Sequence, residues 1–132
     1  RGAKRAVTLP VSVAAHTGLM MGAAERVAER LAGVDVRMPD VPAVYTVDVK
    51  THASPDGIRL ALKEQLYKPV RWAETVRAML AGGVTTLVEC GPGKVLTALN
   101  KRVERRPGLT MLAVEDPDGL AAALAACKGG AA

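Results

Sequence analysis

Aromatic side chains are almost missing from this 132-residue sequence: Trp72, Tyr45 and Tyr67 are the whole set, and there is no Phe. Stacking platforms for unpaired bases need several exposed rings, so the composition argues against single-stranded nucleic-acid binding of that kind. The core has to be assembled from Ala, Val, Leu and Met, which suits helices packed on a sheet. Cysteine is scarce as well. Cys90 and Cys127 show no CxxC spacing and no neighbouring ligand pattern, so neither a metal site nor a disulfide framework is indicated, and a reduced, cytoplasmic setting fits. No apolar run has the ~20 residues of a membrane span, and nothing resembles a signal peptide. GxGxxG is absent, and Ser12 and Ser54, the only serines, lie outside any GxSxG elbow.

What is present reads as one folded domain's worth of chain, 49% hydrophobic and 23% charged. A net charge of +5 suits an acidic partner or a solvated basic surface, and only Lys101, Arg102, Arg105 and Arg106 cluster locally. The first residue is Arg1 rather than Met, which suggests a piece of something longer.

Element types alternate along the chain. Ala6 to Val13 has the period-2 pattern of a half-buried strand, and Thr17 to Ala32 the period of an amphipathic helix closed by Gly33. Its expected core face is Leu19, Met20, Ala23, Ala24, Val27, Ala28 and Leu31. Ala43 to Val49 is strand-like. Ser54-Pro55-Asp56 caps a helix running to about Tyr67. A helix over Arg71 to Ala81, a strand over Val84 to Cys90 and a helix over Lys94 to Glu104 follow; Val95, Leu96, Leu99 and Val103 form the last one's expected core face. Leu109 to Val114 is a strand, Asp116-Pro117-Asp118-Gly119 repeats the earlier capping chemistry, a last helix runs to about Cys127, and the tail 129–132 should fray. Helices between strands predict an α/β fold with a largely parallel sheet.

His16 stands where the strand period gives way to the helix period, with Thr17 beside it as a candidate N-cap. The positive end of that helix would disfavour imidazolium, leaving a neutral ring available as a general base. The alternative is a partly exposed residue at a helix start with no chemistry. Gly91-Pro92-Gly93-Lys94 could cradle an anion at a helix N-terminus or simply make a tight turn, since Val95 stands where a phosphate loop needs Ser or Thr. His52 is expected to be an isolated, solvent-exposed loop residue. There is thus a plausible base and no plausible nucleophile.

The stretches LPVSVAAHTGLM, VDVK, QLYKPVRW and ECGPGKVLTALNKR, in this order from about Ala3 to Val114, resemble the C-terminal portion of bacterial malonyl-CoA:acyl carrier protein transacylases. In that family a Ser in a Gly-His-Ser-x-Gly elbow takes malonyl from coenzyme A and passes it to the phosphopantetheine thiol of acyl carrier protein. The resemblance makes His16 the base and assigns the backbone carbonyl of Gln65, the only Gln in the chain, to orienting it. It places Lys101 and Arg102 where the acidic carrier protein would dock. The family's nucleophile, its oxyanion-hole donors and the Arg for the malonyl carboxylate all precede the matched region. Ala15 stands where bacterial relatives often carry Ser, which leaves acyl selectivity open.

The resemblance implies part of a hydrolase-like α/β acyltransferase body: residues 1–13 as the last strand of a small ferredoxin-like subdomain, and residues 14–132 as the C-terminal part of the large one. It implies malonyl-CoA and phosphopantetheinylated acyl carrier protein as substrates, no metal or redox cofactor, no membrane or nucleic-acid partner, and a missing N-terminal part of the same enzyme. Two other classes compete with it. One is a non-catalytic module binding an acidic carrier protein; the other is a basic nucleic-acid binder, which a steep salt dependence of DNA affinity would reveal.

Overall fold

The computed structural model describes residues 2, 6–8 and 10–128, and the chain divides into two compact units, 1–70 and 71–132. The first unit is a pair of helices. A 3₁₀ turn over Gly18–Met20 leads into α1, Met21–Ala32, and α2 spans Pro55–Gln65. The start of α2 follows directly from its sequence: the Ser54 hydroxyl accepts the Gly57 N–H at 3.1 Å, Pro55 opens the first turn, and Asp56 sits near the positive end of the dipole. Among the described residues of this unit, the buried apolar ones are Ala24, Val47, Ile58 and Ala61.

Polar ties lock the helix pair. Arg59 of α2 donates Nε to the Leu31 carbonyl at 3.1 Å and an Nη to the Val34 carbonyl at 2.8 Å, tying α2 to the C-terminal end of α1 and the residues just after it. Lys63 of α2 pairs with Glu25 of α1 at 2.8 Å.

Three expectations fail in this unit. The described part of Ala6 to Val13 forms no strand, and Val7, Val11 and Val13 are exposed; alternation makes a strand only where a neighbour completes the ladder, and no strand among the described residues of this unit does. Leu9 lies outside the described residues. Ala43 to Val49 is not a strand either. One antiparallel bridge, Tyr45 to Lys50, closes a turn in which Val49 adopts φ 61°, a left-handed conformation no strand contains. On the first helix Leu19 is 84% exposed rather than core, because Gly18–Met20 winds as 3₁₀ and α1 proper starts at Met21.

The second unit is α/β. α3, Trp72–Ala81, precedes β1, Thr86–Cys90; α4, Val95–Val103, crosses to β2, Thr110–Val114, and α5, Pro117–Lys128, closes the unit. β1 and β2 pair in parallel with Thr86 opposite Thr110 and Cys90 opposite Val114, so the parallel sheet expected from the helix–strand alternation is present as two strands. Val76, Leu80 and Ala123 are buried, as are Thr75, Thr97 and Asn100. Asn100 takes the Trp72 indole N–H on Oδ1 at 2.9 Å, and the Thr97 hydroxyl donates to the Leu112 carbonyl at 3.3 Å.

The expected core face of α4 fails at three of its four positions, Val103 alone being half-buried. Its buried positions are Thr97 and Asn100, whereas Val95, Leu96 and Leu99 are exposed. The apolar stripe is real, but the residues of this unit do not cover it. At α5 the Asp116 carboxylate accepts the Gly119 N–H at 2.7 Å, the same cap as at Ser54. Gly119 also allows close approach: a Cβ there would lie 2.5 Å from the Ala113 carbonyl oxygen of β2. The tail 129–132 lies outside the described residues.

Candidate functional site

His16 reaches the end of α2 through two hydrogen bonds. Its backbone N–H donates to the Leu66 carbonyl at 2.9 Å, and its ring Nδ1 lies 2.8 Å from the Gln65 carbonyl oxygen. Both carbonyls belong to the last turn of α2, where acceptors have no partner within the helix. A carbonyl can only accept, so Nδ1 must carry the proton. In the neutral ring that leaves Nε2 with its lone pair available, the state a general base needs. His16 is itself exposed, with φ 62°, and this left-handed kink lets one residue present its N–H and its ring to consecutive carbonyls.

Thr17 does not cap α1 with its side chain; its hydroxyl donates instead to the Ala14 carbonyl at 2.8 Å, bracing the turn that holds His16. Glu64 and Lys68, on either side of the two accepting carbonyls, pair at 2.6 Å. The hydrogen bond to Glu64 holds the Lys68 ammonium above its ordinary range. Leu66 went unnoticed in the sequence, because a main-chain acceptor leaves no residue-type signal.

His52 is not the isolated, exposed residue expected. Its side chain is 18% exposed, its Nε2 lies 3.2 Å from the Asp48 carboxylate, and its ring meets Tyr45 edge-on at 5.1 Å. A polar loop looks solvated in sequence, but here the His52 ring lies against the first turn of α2, 3.1 Å from where a Cβ on Gly57 would stand.

Gly91-Pro92-Gly93-Lys94 resolves as a turn. The N-terminus of α4 is already filled by Glu89, whose two carboxylate oxygens accept the Leu96 N–H at 3.0 Å and the Thr97 N–H at 2.7 Å. These bonds, the Thr97 amide first, hold the Glu89 carboxyl below its ordinary range. Lys94 is bound to Glu115 at 2.9 Å, which raises its ammonium. An external anion would have to displace a built-in one. Glu89 was missed because an acidic residue on a strand gives no hint that it reaches across a turn.

Lys101 and Arg102 are exposed on the last turn of α4. Cys90 and Cys127 are exposed free thiols. Among the described residues no group of three His, Cys, Asp or Glu side chains could hold a metal ion, and no helix is long and apolar enough to cross a membrane.

No protein-family model matches the chain. Curated relatives do match. The malonyl CoA-acyl carrier protein transacylase of Escherichia coli K12 is 50% identical over 123 residues, 93% of this chain and 39% of that protein. The enzyme of the same name from Bacillus subtilis strain 168 is 43% identical over 127 residues, 96% of this chain and 39% of that protein. A malonyl-transacylase solved in complex with a type II polyketide acyl-carrier protein superposes with TM-score 0.88 at 47% identity, over 95% of this chain and 40% of that one. The chain is thus homologous to these transacylases over nearly all its length, and it spans about 39% of the length of the curated relatives.

Proposed function

We propose that the chain is the C-terminal portion of a malonyl-CoA:acyl carrier protein transacylase and carries that enzyme's general base, His16. Homology across 93% of the chain supports the family, and the bond from His16 Nδ1 to the Gln65 carbonyl supports the role. In the complete enzyme Nε2 of His16 takes the proton of a serine supplied by the remaining polypeptide. The serine oxygen attacks the malonyl thioester carbonyl, the C–S bond breaks, and the coenzyme A sulfur leaves with the proton from Nε2. In the second half His16 takes the proton of the phosphopantetheine thiol; the sulfur attacks the seryl ester, and the serine oxygen recovers the proton.

The Gln65 carbonyl fixes the tautomer and orients the ring, where many hydrolases use Asp. No metal or redox cofactor enters these steps. Lys101 and Arg102 contact the acidic carrier protein. Residues 14–132 belong to the large hydrolase-like α/β subdomain, and residues 1–13 become the last strand of a ferredoxin-like subdomain once its neighbouring strands are present. A cytoplasmic enzyme of fatty-acid synthesis fits this reading.

The test is His16→Ala in the complete enzyme, with malonyl transfer to carrier protein as the readout. Loss of a general base should lower the rate by about 10²–10⁴-fold. A rate within about twofold of the parent would remove His16 from the mechanism. The 132-residue chain alone should transfer nothing, since its two serines are not placed as nucleophiles: Ser54 is a helix cap and Ser12 lies in irregular chain.

A further inference from the structure

The two carbonyls that hold His16 stand open because of a residue just beyond them. Within a helix each carbonyl takes the N–H four residues on. That order holds as far as Glu64, whose carbonyl accepts the Lys68 N–H at 2.9 Å together with the Tyr67 N–H at 3.2 Å. The next acceptor is Gln65, and the residue due to serve it is Pro69, which has no N–H. Proline also disfavours the helical region for the residue before it, here Lys68. The helix therefore stops although Leu66 still has helical angles, φ −67° and ψ −34°. A continued helix would have brought N–H groups from residues 69 and 70 to Gln65 and Leu66. His16 brings both donors instead, its ring Nδ1 to Gln65 at 2.8 Å and its main-chain N–H to Leu66 at 2.9 Å.

We propose that Pro69 is a positioning residue for catalysis: by withholding the N–H due at its place in the ladder, it reserves the Gln65 carbonyl for His16 and so sets the ring's tautomer and aim. The inference rests on the transacylase reading. Pro69 is exposed, so no buried contact accounts for it, and its ring has no group that could exchange a proton with a substrate. Its influence has to pass through the backbone. The other common helix ending would not serve. A left-handed glycine turns the following N–H groups back onto the last carbonyls, filling the acceptors that His16 needs. Proline ends the helix and leaves them empty.

The experiment compares three forms of the complete enzyme: the parent, Pro69→Ala, and a variant with lactic acid at position 69, which has alanine's methyl on an ester link and no N–H. The readouts are steady-state malonyl transfer and the nitrogen-15 spectrum of the His16 ring. Pro69→Ala should lower kcat about 10–100-fold with both KM values unchanged. Part of its neutral His16 ring should move the proton from Nδ1 to Nε2. Lactic acid at 69 should recover most of the lost rate and the parent tautomer. If the proline ring acts only by stiffening the chain, both replacements will be equally slow, and that result overturns the proposal. An unchanged kcat in Pro69→Ala overturns it too and leaves the transacylase reading standing. Should Pro69→Ala not fold, Pro69→Gly adds the same N–H with less tendency to lengthen the helix and decides in its place. A parent enzyme that transfers no malonyl overturns the transacylase reading, and the part assigned to Pro69 falls with it.

Discussion

Among the described residues His16 and Val49 are the non-glycine ones with φ near +60°, and the two departures have different causes. For His16 the kink is compensated by two hydrogen bonds to the end of α2. His is among the residue types enriched in this region, and here the conformation aims Nδ1 at Gln65. Long-range proton–nitrogen NMR should therefore find the neutral ring protonated at Nδ1; a neutral ring protonated at Nε2 would contradict the geometry. Val49 is β-branched, for which a left-handed backbone costs about 1–2 kcal/mol. Val49→Gly should accordingly be more stable than Val49→Ala by about 1 kcal/mol in urea unfolding, the reverse of their order in a helix. The position of His16 was legible, because the change of period marks it. Its backbone angle was not, since φ is set by partners 49 residues away at Gln65.

The helix starts written locally at Ser54 and Asp116 came out as read, and so did the parallel pair over 86–90 and 110–114, whereas the other two expected strands did not. Both Pro-Asp-Gly starts cap as expected, at Ser54 and at Asp116, because every atom involved lies within three residues. The strands over 6–13 and 43–49 failed because alternation says nothing about who completes the ladder. Two tests belong to this scale. Gly119→Ala should cost about 1–3 kcal/mol, since the new methyl meets the Ala113 carbonyl and has to push α5 off β2. Glu89 makes stability pH-dependent at the start of α4. Its folded carboxyl titrates below the ordinary 4.5, so its contribution is present above that value and is lost as pH falls through the folded value. The stability gap between the parent and Glu89→Gln should be open at neutral pH and close on acidification below about pH 4.5. A gap that stays constant to the end of the titration would mean that the Leu96 and Thr97 amides do not hold an ionised carboxylate.

On the scale of the whole molecule, what the chain leaves uncovered is as informative as what it buries. The buried apolar set among the described residues is small and made largely of Ala and Val, while Leu19, Met21, Val95, Leu120 and Leu124 are each about half exposed or more. Leu19 and Val95 belong to the expected core stripes of the first helix and of α4, so the period is real and what is missing among the described residues is the surface that would cover it. The chain spans about 39% of its relatives' length, and under the transacylase reading proposed above the rest of the enzyme supplies the cover. Apolar faces of this kind drive association when left in water. The 132-residue chain should therefore enhance the fluorescence of an apolar dye and self-associate with rising concentration, and co-expression with the remaining portion should suppress both. The same patterning makes charge a poor substitute for cover, so adding salt should strengthen the self-association rather than dissolve it. A chain that stays monomeric and dye-silent by itself would mean that these faces are content in solvent, and the argument from missing cover would fail.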